Sequence, residues 1–448
     1  MLKGQFARLR GWRSDPVLDR LLRNSFSLLV SGGAVNALNF LQVVVLTRLL
    51  LPEGYGRFTL VTSFVTIVNQ FFDVRVRETT VKFGSEYRAV NQIDHLLAVA
   101  KLSYLIDLST GGLAFLLVWF SAPWASGVFL KTAELAPIVQ LYAFTLLIST
   151  MDHTNAAIMQ VLGRFQWLSI YSTLMALLEL LAVAIPAFLG MGLTGVFIGL
   201  VIKDAVSAFV NISYTSWALK RDFSSAGIFR APLSLLRGRF TEIARFVFHT
   251  NIIAYIKMLN TKADVLILGF FRSAAEVGVY KFARQLGTLV ASLADPISNT
   301  LLPELSQLQA RQQYREAQRL IRRITFITGV ALAMVALGIA LFSGPITLLL
   351  AGPDYLEATR LIRIGVWGAA LGGVLIWGWP AALSLQRPDW GTKTGILAVS
   401  IQIGLLLALT QIYGALGAMA AFLAYQLVAQ PLLAALVWRR LSAQTEQI

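Results

Sequence analysis

Lys257, Arg284, Arg360 and Arg363 are basic side chains set inside, or at the start of, long apolar runs. A charge near the bilayer centre costs roughly 2.5–3.5 kcal/mol on insertion scales, so each should face protein or water rather than lipid. Together they suit an anionic group. A diphosphate accepts charge-assisted hydrogen bonds, which guanidinium forks present in fixed geometry. Lys257 and Arg284 lie well within their helices. Arg360 and Arg363 stand one turn apart near a helix start, where snorkelling to the surface is the alternative. Carboxylates occupy similar settings at Asp73, Asp107 and Asp264. Asp73 either belongs to a cation site or balances Arg77 one turn on. Asp264 can pair with Lys257 across two turns. Glu179 and Lys203 read as a structural ion pair between the fifth and sixth helices, and His153 as a hydrogen-bonded interior histidine.

Twelve helices must position these groups. The apolar stretches predict spans over 22–47, 56–82, 95–120, 134–161, 168–189, 193–218, 242–270, 276–302, 320–342, 356–383, 394–413 and 415–438. Polar residues recur at helical spacing on several of them. Helix 1 carries Gly32, Asn36, Asn39 and Thr47, and helix 2 Ser63, Thr66, Gln70, Asp73 and Arg77. Helix 3 carries Ser103, Asp107 and Thr110; helix 4, Ser149, Asp152, His153 and Gln160. Helix 7 carries Thr250, Lys257, Thr261 and Asp264. Helix 8 carries Lys281, Arg284, Gln285, Thr288, Ser292, Asp295 and Asn299. These stripes predict a hydrated chamber lined by helices 1–4, 7, 8 and 10. Gly192, Gly195 and Gly199 form a small face for close helix packing. Pro186, Pro296 and Pro380 should kink their helices by removing a backbone hydrogen bond.

The gaps between spans alternate in charge. Every second gap is basic, as in the cluster Lys220, Arg221, Arg230, Arg237 and Arg239 and the cluster Arg311, Arg315, Arg319, Arg322 and Arg323. The intervening gaps are nearly bare. Cytoplasmic loops retain Lys and Arg, so both chain ends are expected in the cytoplasm.

Composition agrees. Of 448 residues, 56% are hydrophobic and 14% charged, with mean hydropathy +0.68; a soluble domain carries about 25% charged residues. Closed β-barrels are excluded, because their strands alternate polar and apolar over ~10 residues. The net charge of +15 sits mainly in loops facing anionic lipid headgroups, so no nucleic-acid partner is expected. There are no cysteines and three separated histidines, so no metal site is expected. The basic leader, with Trp12 as an interfacial anchor, lacks a cleavage site for a signal peptide.

The basic gap from Lys220 to Thr241 divides the chain into a leader (1–21), a first lobe (22–218), a linker (219–241), a second lobe (242–438) and a tail (439–448). A shift of 224 positions superposes Arg48 on Arg272, Gly54 on Gly278, Arg57 on Lys281 and Phe58 on Phe282. Six helices per lobe make this a parallel repeat about an axis along the membrane normal.

The run Thr47-Arg48-Leu49-Leu50-Leu51-Pro52-Glu53-Gly54-Tyr55-Gly56-Arg57-Phe58 resembles the "R-L-L-x-P-E-x-Y-G" signature of the Wzx-like bacterial polysaccharide transporters. These are a branch of the multidrug/oligosaccharidyl-lipid/polysaccharide (MOP) flippase superfamily. The superfamily also holds the multidrug and toxin extrusion (MATE) exporters and the peptidoglycan-precursor flippase. Val277-Gly278-Val279-Tyr280, Ala283-Arg284 and Leu301-Leu302-Pro303-Glu304-Leu305-Ser306 resemble later motifs of the same branch. An arginine at the spacing of Arg284 before Pro303 belongs to the central cavity of the peptidoglycan-precursor flippase. Two departures stand out. Asp73-Val74-Arg75-Val76 lacks the branch's usual glycine, and the two further C-terminal helices of that flippase are missing, which argues against lipid II as substrate.

The resemblance implies an all-α integral membrane flippase, not an enzyme, with about twelve transmembrane helices in two pseudo-symmetric six-helix lobes. Its substrate would be an undecaprenyl-diphosphate-linked oligosaccharide for O-antigen, capsule or exopolysaccharide, carried across the bacterial inner membrane by alternating access. No loop is long enough for the external domain that a membrane polymerase or ligase needs. Lys257, Arg284, Arg360 and Arg363 would hold the diphosphate. No cofactor is implied, but coupling to H+ or Na+ is, with Asp73, Asp107 and Asp264 as candidates. Polysaccharide polymerase or export machinery would be protein partners. A cation-coupled multidrug or metabolite exporter of the same superfamily is the alternative.

Overall fold

The computed structural model describes residues 16–446 except 75, 224–227, 229 and 230. The side chains of residues 16–31, 246, 248–254, 256, 257 and 299 lie outside the described set. Among the described residues the regular structure is helical, with no strand. The first half contains α1 (Pro16–Phe72), α2 (Val76–Ala89), α3 (Ile93–Phe129), α4 (Ala136–Ile148), α5 (Asp152–Val161), α6 (Phe165–Phe188) and α7 (Gly192–Phe223). The second contains α8 (Phe240–Phe271), α9 (Ala274–Ser292), α10 (Asp295–Ala310), α11 (Tyr314–Leu341), α12 (Ser343–Leu350), α13 (Ala358–Val374), α14 (Gly378–Ser384), α15 (Pro388–Tyr413) and α16 (Ala415–Glu446).

Nine stretches among the described residues are long and apolar enough to cross a membrane. One of them, Gly32–Phe72, is two arms of α1 joined at a kink. Leu51 adopts φ 58, ψ 174 there, and Pro52 opens the second arm. Proline is tolerated in a first helical turn, where its missing N–H would have no partner. The expected first two spans are therefore two helices that meet at this kink with no loop between them. The helices α8 and α9, which carry Lys262, Asp264, Lys281 and Arg284, fall outside the nine.

Four expected spans are broken in two, and the breaks repeat between halves. The second span of each half stops at Asp73–Val74 and at Leu293–Ala294; the fourth stops at Ser149–Met151 and at Leu375–Trp377. Pro296 starts α10 after its break and Pro380 lies in α14 just past the other. Pro186 sits near the end of α6, which continues through it. Of the expected glycine face on α7, Gly199 and Gly195 pack against α6, where a Cβ at Gly199 would fall 1.9 Å from the Ala182 carbonyl oxygen and one at Gly195 3.2 Å from Pro186, whereas Gly192 faces open space.

The turns gather at two ends. At one, Arg48 donates to the carbonyls of Leu348, Leu349 and Leu350, and Arg272 to those of Thr410, Gln411 and Ile412. Lys131 donates to Phe270 in the same layer. This end carries the charge-poor gaps. At the other, Arg88 donates to Val161, Lys101 to Ala231 over 3.0 Å, and Gln318 to Ser442 over 3.2 Å. The linker is held here as well: Leu233–Arg239 forms a short 3-10 turn with Leu236 buried. Charge-poor and basic gaps thus sort to opposite ends, as the charge alternation requires. We refer to the basic end and the far end.

Candidate functional site

The two arms of α1 set the wall of a cavity of about 540 Å³. The first arm contributes Asn39 and Gln42. The second contributes Thr59, Thr62, Ser63, Thr66 and Asn69, in which 59, 63 and 66 and also 62, 66 and 69 recur three or four apart so that one helical face is polar. Tyr142, Thr145 and Ser149 of α4 add to it. Several hydroxyls bond backwards to their own helix, as Thr62 does to Phe58 at 2.9 Å and Thr66 to Thr62 at 2.6 Å. Their oxygen lone pairs remain available to a ligand. Asn39, Ser63 and Thr66 of the expected stripes line this space; Asn36, Gln70 and Asp73 do not.

Five charged residues line the cavity. Lys203 of α7 lies 3.4 Å from Glu179 of α6 and 2.7 Å from Asp204, and the Gln42 amide reaches Glu179 at 3.4 Å. The ion pair expected between the fifth and sixth helices is present, extended by a second carboxylate. Lys262 of α8 and Lys281 of α9 also line the cavity, and neither has a carboxylate partner or hydrogen bond among the described residues. Three lysines against two carboxylates leave one net positive charge, carried by the wall of the second half.

Of the four expected basic residues, Arg284, Arg360 and Arg363 are not in this wall. Lys257 lies on α8, and its side chain is outside the described residues. Arg284 is not in the cavity wall. Its Nε sits 3.3 Å from Asp264 Oδ2, and its guanidinium lies 3.5 Å from the centre of the Phe422 ring. Asp264, 1% exposed, also accepts from the Tyr280 hydroxyl at 2.5 Å and from the Val265 amide at 2.8 Å. A proposed anion ligand and a proposed cation ligand thus neutralise each other inside the second half. Arg363 donates to Ser343 Oγ at 3.1 Å. Arg360 is exposed in a separate far-end cleft with Glu53, Glu276, Asp354 and Glu357.

The remaining carboxylates belong to the first half. Asp107 of α3, 6% exposed, accepts from Thr154 Oγ1 at 2.6 Å. Asp73 lies in the break between α1 and α2 without an ion pair to Arg77 or any other described residue. Asp152 accepts from Asn211 at 2.9 Å.

Sequence reasoning missed Lys262 and gave Lys281 no role. Lys262 falls two residues before Asp264, on the opposite side of an α-helix turning 100° per residue, so it lies off the stripe of 257, 261 and 264. Lys281 does appear in the helix-8 stripe, and as the repeat partner of Arg57.

Glycine-mediated contact between the halves lies at the far end of the cavity. A Cβ at Gly56 would fall 1.6 Å from the Ala274 carbonyl oxygen, and one at Gly278 2.2 Å from that of Pro52. Only glycine lets the two backbones touch here. Tyr55, Tyr280, Phe282 and Tyr355 are buried around the crossing. At the basic end the halves meet through α8 and the turn before it. Tyr255 donates to the Phe71 carbonyl at 3.0 Å, Lys82 lies 3.5 Å from Glu242, and Arg239 2.8 Å from Glu86. Hydrogen bonds donated to Glu242 and Glu86 hold the Arg239 pKa above its ordinary value.

A polar, partly charged cavity enclosed by apolar helices, with the halves in direct contact at one end, defines a multi-pass membrane protein of the transporter class. Residues 21–309 match the family described as "Polysaccharide biosynthesis protein", and the chain belongs to that family. It is 25% identical over 286 residues to the "Probable flippase AglR" of Haloferax volcanii, covering 62% of this chain and 57% of that protein. It is 23% identical over 358 residues to "Inner membrane protein YghQ" of Escherichia coli K12, covering 79% and 99% respectively. Two solved structures share the fold. "Lipid II flippase MurJ, inward closed conformation" gives a TM-score of 0.68 at 16% identity, over 92% of this chain and 86% of that one. An inward-facing multidrug resistance MATE family transporter gives 0.71 at 14% identity, over 92% and 96%.

Proposed function

We propose that this chain is a flippase for a polyprenyl-diphosphate-linked oligosaccharide, working by alternating access between two lobes, 22–218 and 242–438. The observation that carries the reading is the pair of unpartnered lysines, Lys262 and Lys281, facing a wall of hydroxyls and amides. The lysines take the diphosphate through charge-assisted hydrogen bonds. The α1 wall exchanges its hydroxyl and amide hydrogen bonds with sugar hydroxyls, while the prenyl tail stays in lipid.

In this reading the basic end is cytoplasmic, both termini lie there, and the membrane is the bacterial inner membrane with undecaprenyl as the lipid. The glycine crossing closes the periplasmic side. Lys257, five residues before Lys262 on α8, contacts the diphosphate nearer the entry. Arg360 and Arg363 act beyond the glycine crossing, after release. Arg284 acts through Asp264, shaping α8 and α9 rather than holding substrate. Asp73 and Asp107 carry H+ or Na+ coupling. Both are carboxylates without an ion-pair partner among the described residues. The polysaccharide is O-antigen, capsule or exopolysaccharide, handed on to polymerase or export machinery.

The likeness to a MATE transporter raises the multidrug alternative. A cationic drug would meet two unpaired lysines, which disfavours it. The test replaces Lys262 and Lys281 together by Ala in cells whose surface polysaccharide depends on this chain. Surface polysaccharide should disappear at normal protein level. Full export from the double variant would overturn the reading, as would drug sensitivity with surface glycans intact.

A further inference from the structure

A second cavity lies within the second half. It is a cleft of about 380 Å³ lined by Ile321, Arg322, Thr325 and Phe326 of α11, Trp377 at the α13–α14 break, and Trp438 near the end of α16. It shares no lining residue with the central cavity. Its floor is apolar and buried: Ile321 is 1% and Trp377 4% exposed. Its outer lip is exposed and apolar, with Phe326 and Ile327 both facing outward. Its rim is cationic. The Arg322 guanidinium stands 5.1 Å from the centre of the Trp438 ring, which holds it at the mouth.

On the helix segments that carry the rim residues, 319–323 and 438–440, every charged residue is an arginine. Arg319 and Arg323 of α11 and Arg439 and Arg440 of α16 are exposed, and none of them, nor Arg322, pairs with a carboxylate among the described residues. Elsewhere at the basic end, arginines do find acids: Arg164 meets Asp222, Arg239 meets Glu86 and Arg387 meets Asp389. A slot for a hydrocarbon chain beneath uncompensated guanidinium groups matches one amphiphile, a lipid with an anionic headgroup. A zwitterionic headgroup would bring a cation of its own against the arginines. The Trp377 Nε1–H, buried without a hydrogen-bond partner, lies on the same floor.

We propose that this cleft is a binding site for an anionic membrane phospholipid, its phosphate on Arg322 and one acyl chain against Trp377 and Trp438. The assignment does not rest on the flippase reading. Its position beside the α13–α14 break lets a bound lipid brace that junction.

The test is native mass spectrometry of the full chain, purified and equilibrated with equal amounts of phosphatidylglycerol and phosphatidylcholine. The wild type should retain phosphatidylglycerol in preference. Arg322→Ala with Trp438→Ala should weaken that retention by about tenfold, equivalent to about 1.4 kcal/mol. Unfolding temperature in lipid-free detergent serves as the control for folding, and Arg322→Lys, which keeps the charge, should restore part of the retention. Equal retention of both lipids by the wild type would overturn the site. So would wild-type retention by a folded double variant, or displacement of phosphatidylglycerol by equimolar polyprenyl phosphate, which would make the cleft a substrate-tail site.

Discussion

The helices α8 and α9 each have two charged faces, and the faces are used differently. On one, Asp264 and Arg284 meet each other, Tyr280 and the Phe422 ring, and are withdrawn from the cavity. On the other, Lys262 and Lys281 face the cavity with no opposing charge. The costs of burying a charge are the same on both faces. What differs is how each is met. The inner pair is satisfied by protein and contributes to holding two helices in register. The outer pair stays unmatched until something anionic arrives. A charged residue in a membrane helix therefore points to a ligand only when its partner is missing.

That contrast can be tested by removing one member at a time. The largest effect on stability should come from Asp264→Ala, which strands Arg284. Breaking a buried pair by deleting one partner costs about 3–5 kcal/mol, read as a fall in unfolding free energy in detergent. Arg284→Met in the same background should recover part of it. Wild-type stability for the single variant would mean that the pair is not holding the helices.

Arg48→Ala should rank next. Hydrogen bonds to charged groups contribute about 1.5–3 kcal/mol, and Arg48 joins the end of the first arm of α1 to the end of α12 in the other half. Its repeat partner Arg272 makes the same three-carbonyl contact, but to α15 of its own half. Only Arg48→Ala should loosen the far-end contact. The chain has no cysteine, so a single Cys placed at Thr62 can be labelled from either side. Arg48→Ala should raise far-side labelling; Arg272→Ala should not. Equal labelling in both would show that the contact between halves does not depend on Arg48.

The smallest stability change should follow Lys281→Met. It removes a charge without stranding a partner and should cost less than about 1 kcal/mol, while transport falls. A large loss of stability would place Lys281 with the inner pair instead.

Much of this fold was legible from residue types alone. The alternation of basic and bare gaps sorts the turns joined by Arg48, Arg272 and Lys131 from those joined by Arg88 and Lys101, and the match of Arg48 with Arg272 proved to be a shared helix-capping role. The Glu179–Lys203 pair was legible because each charge alone would be costly. The break at Leu375 was not, since hydropathy is continuous across it, and at Asp73 and Ser149 the polar residues read as stripe positions rather than as helix ends. The partner of Arg284 was missed for a related reason. Asp264 lies on the preceding helix, twenty residues away, and stripe spacing reads one helix at a time. Lys262 escaped because a residue off the main polar face carries no periodic signal.

The most direct measurement is binding of a soluble polyprenyl-diphosphate analogue to the purified chain by calorimetry, wild type against Lys262→Ala with Lys281→Ala. The account predicts that the double variant, folded and as stable as the wild type, loses affinity by at least about a hundredfold, two charge-assisted contacts of about 1.5 kcal/mol or more each. Unchanged affinity in that variant, with affinity lost in Arg284→Ala instead, would contradict it.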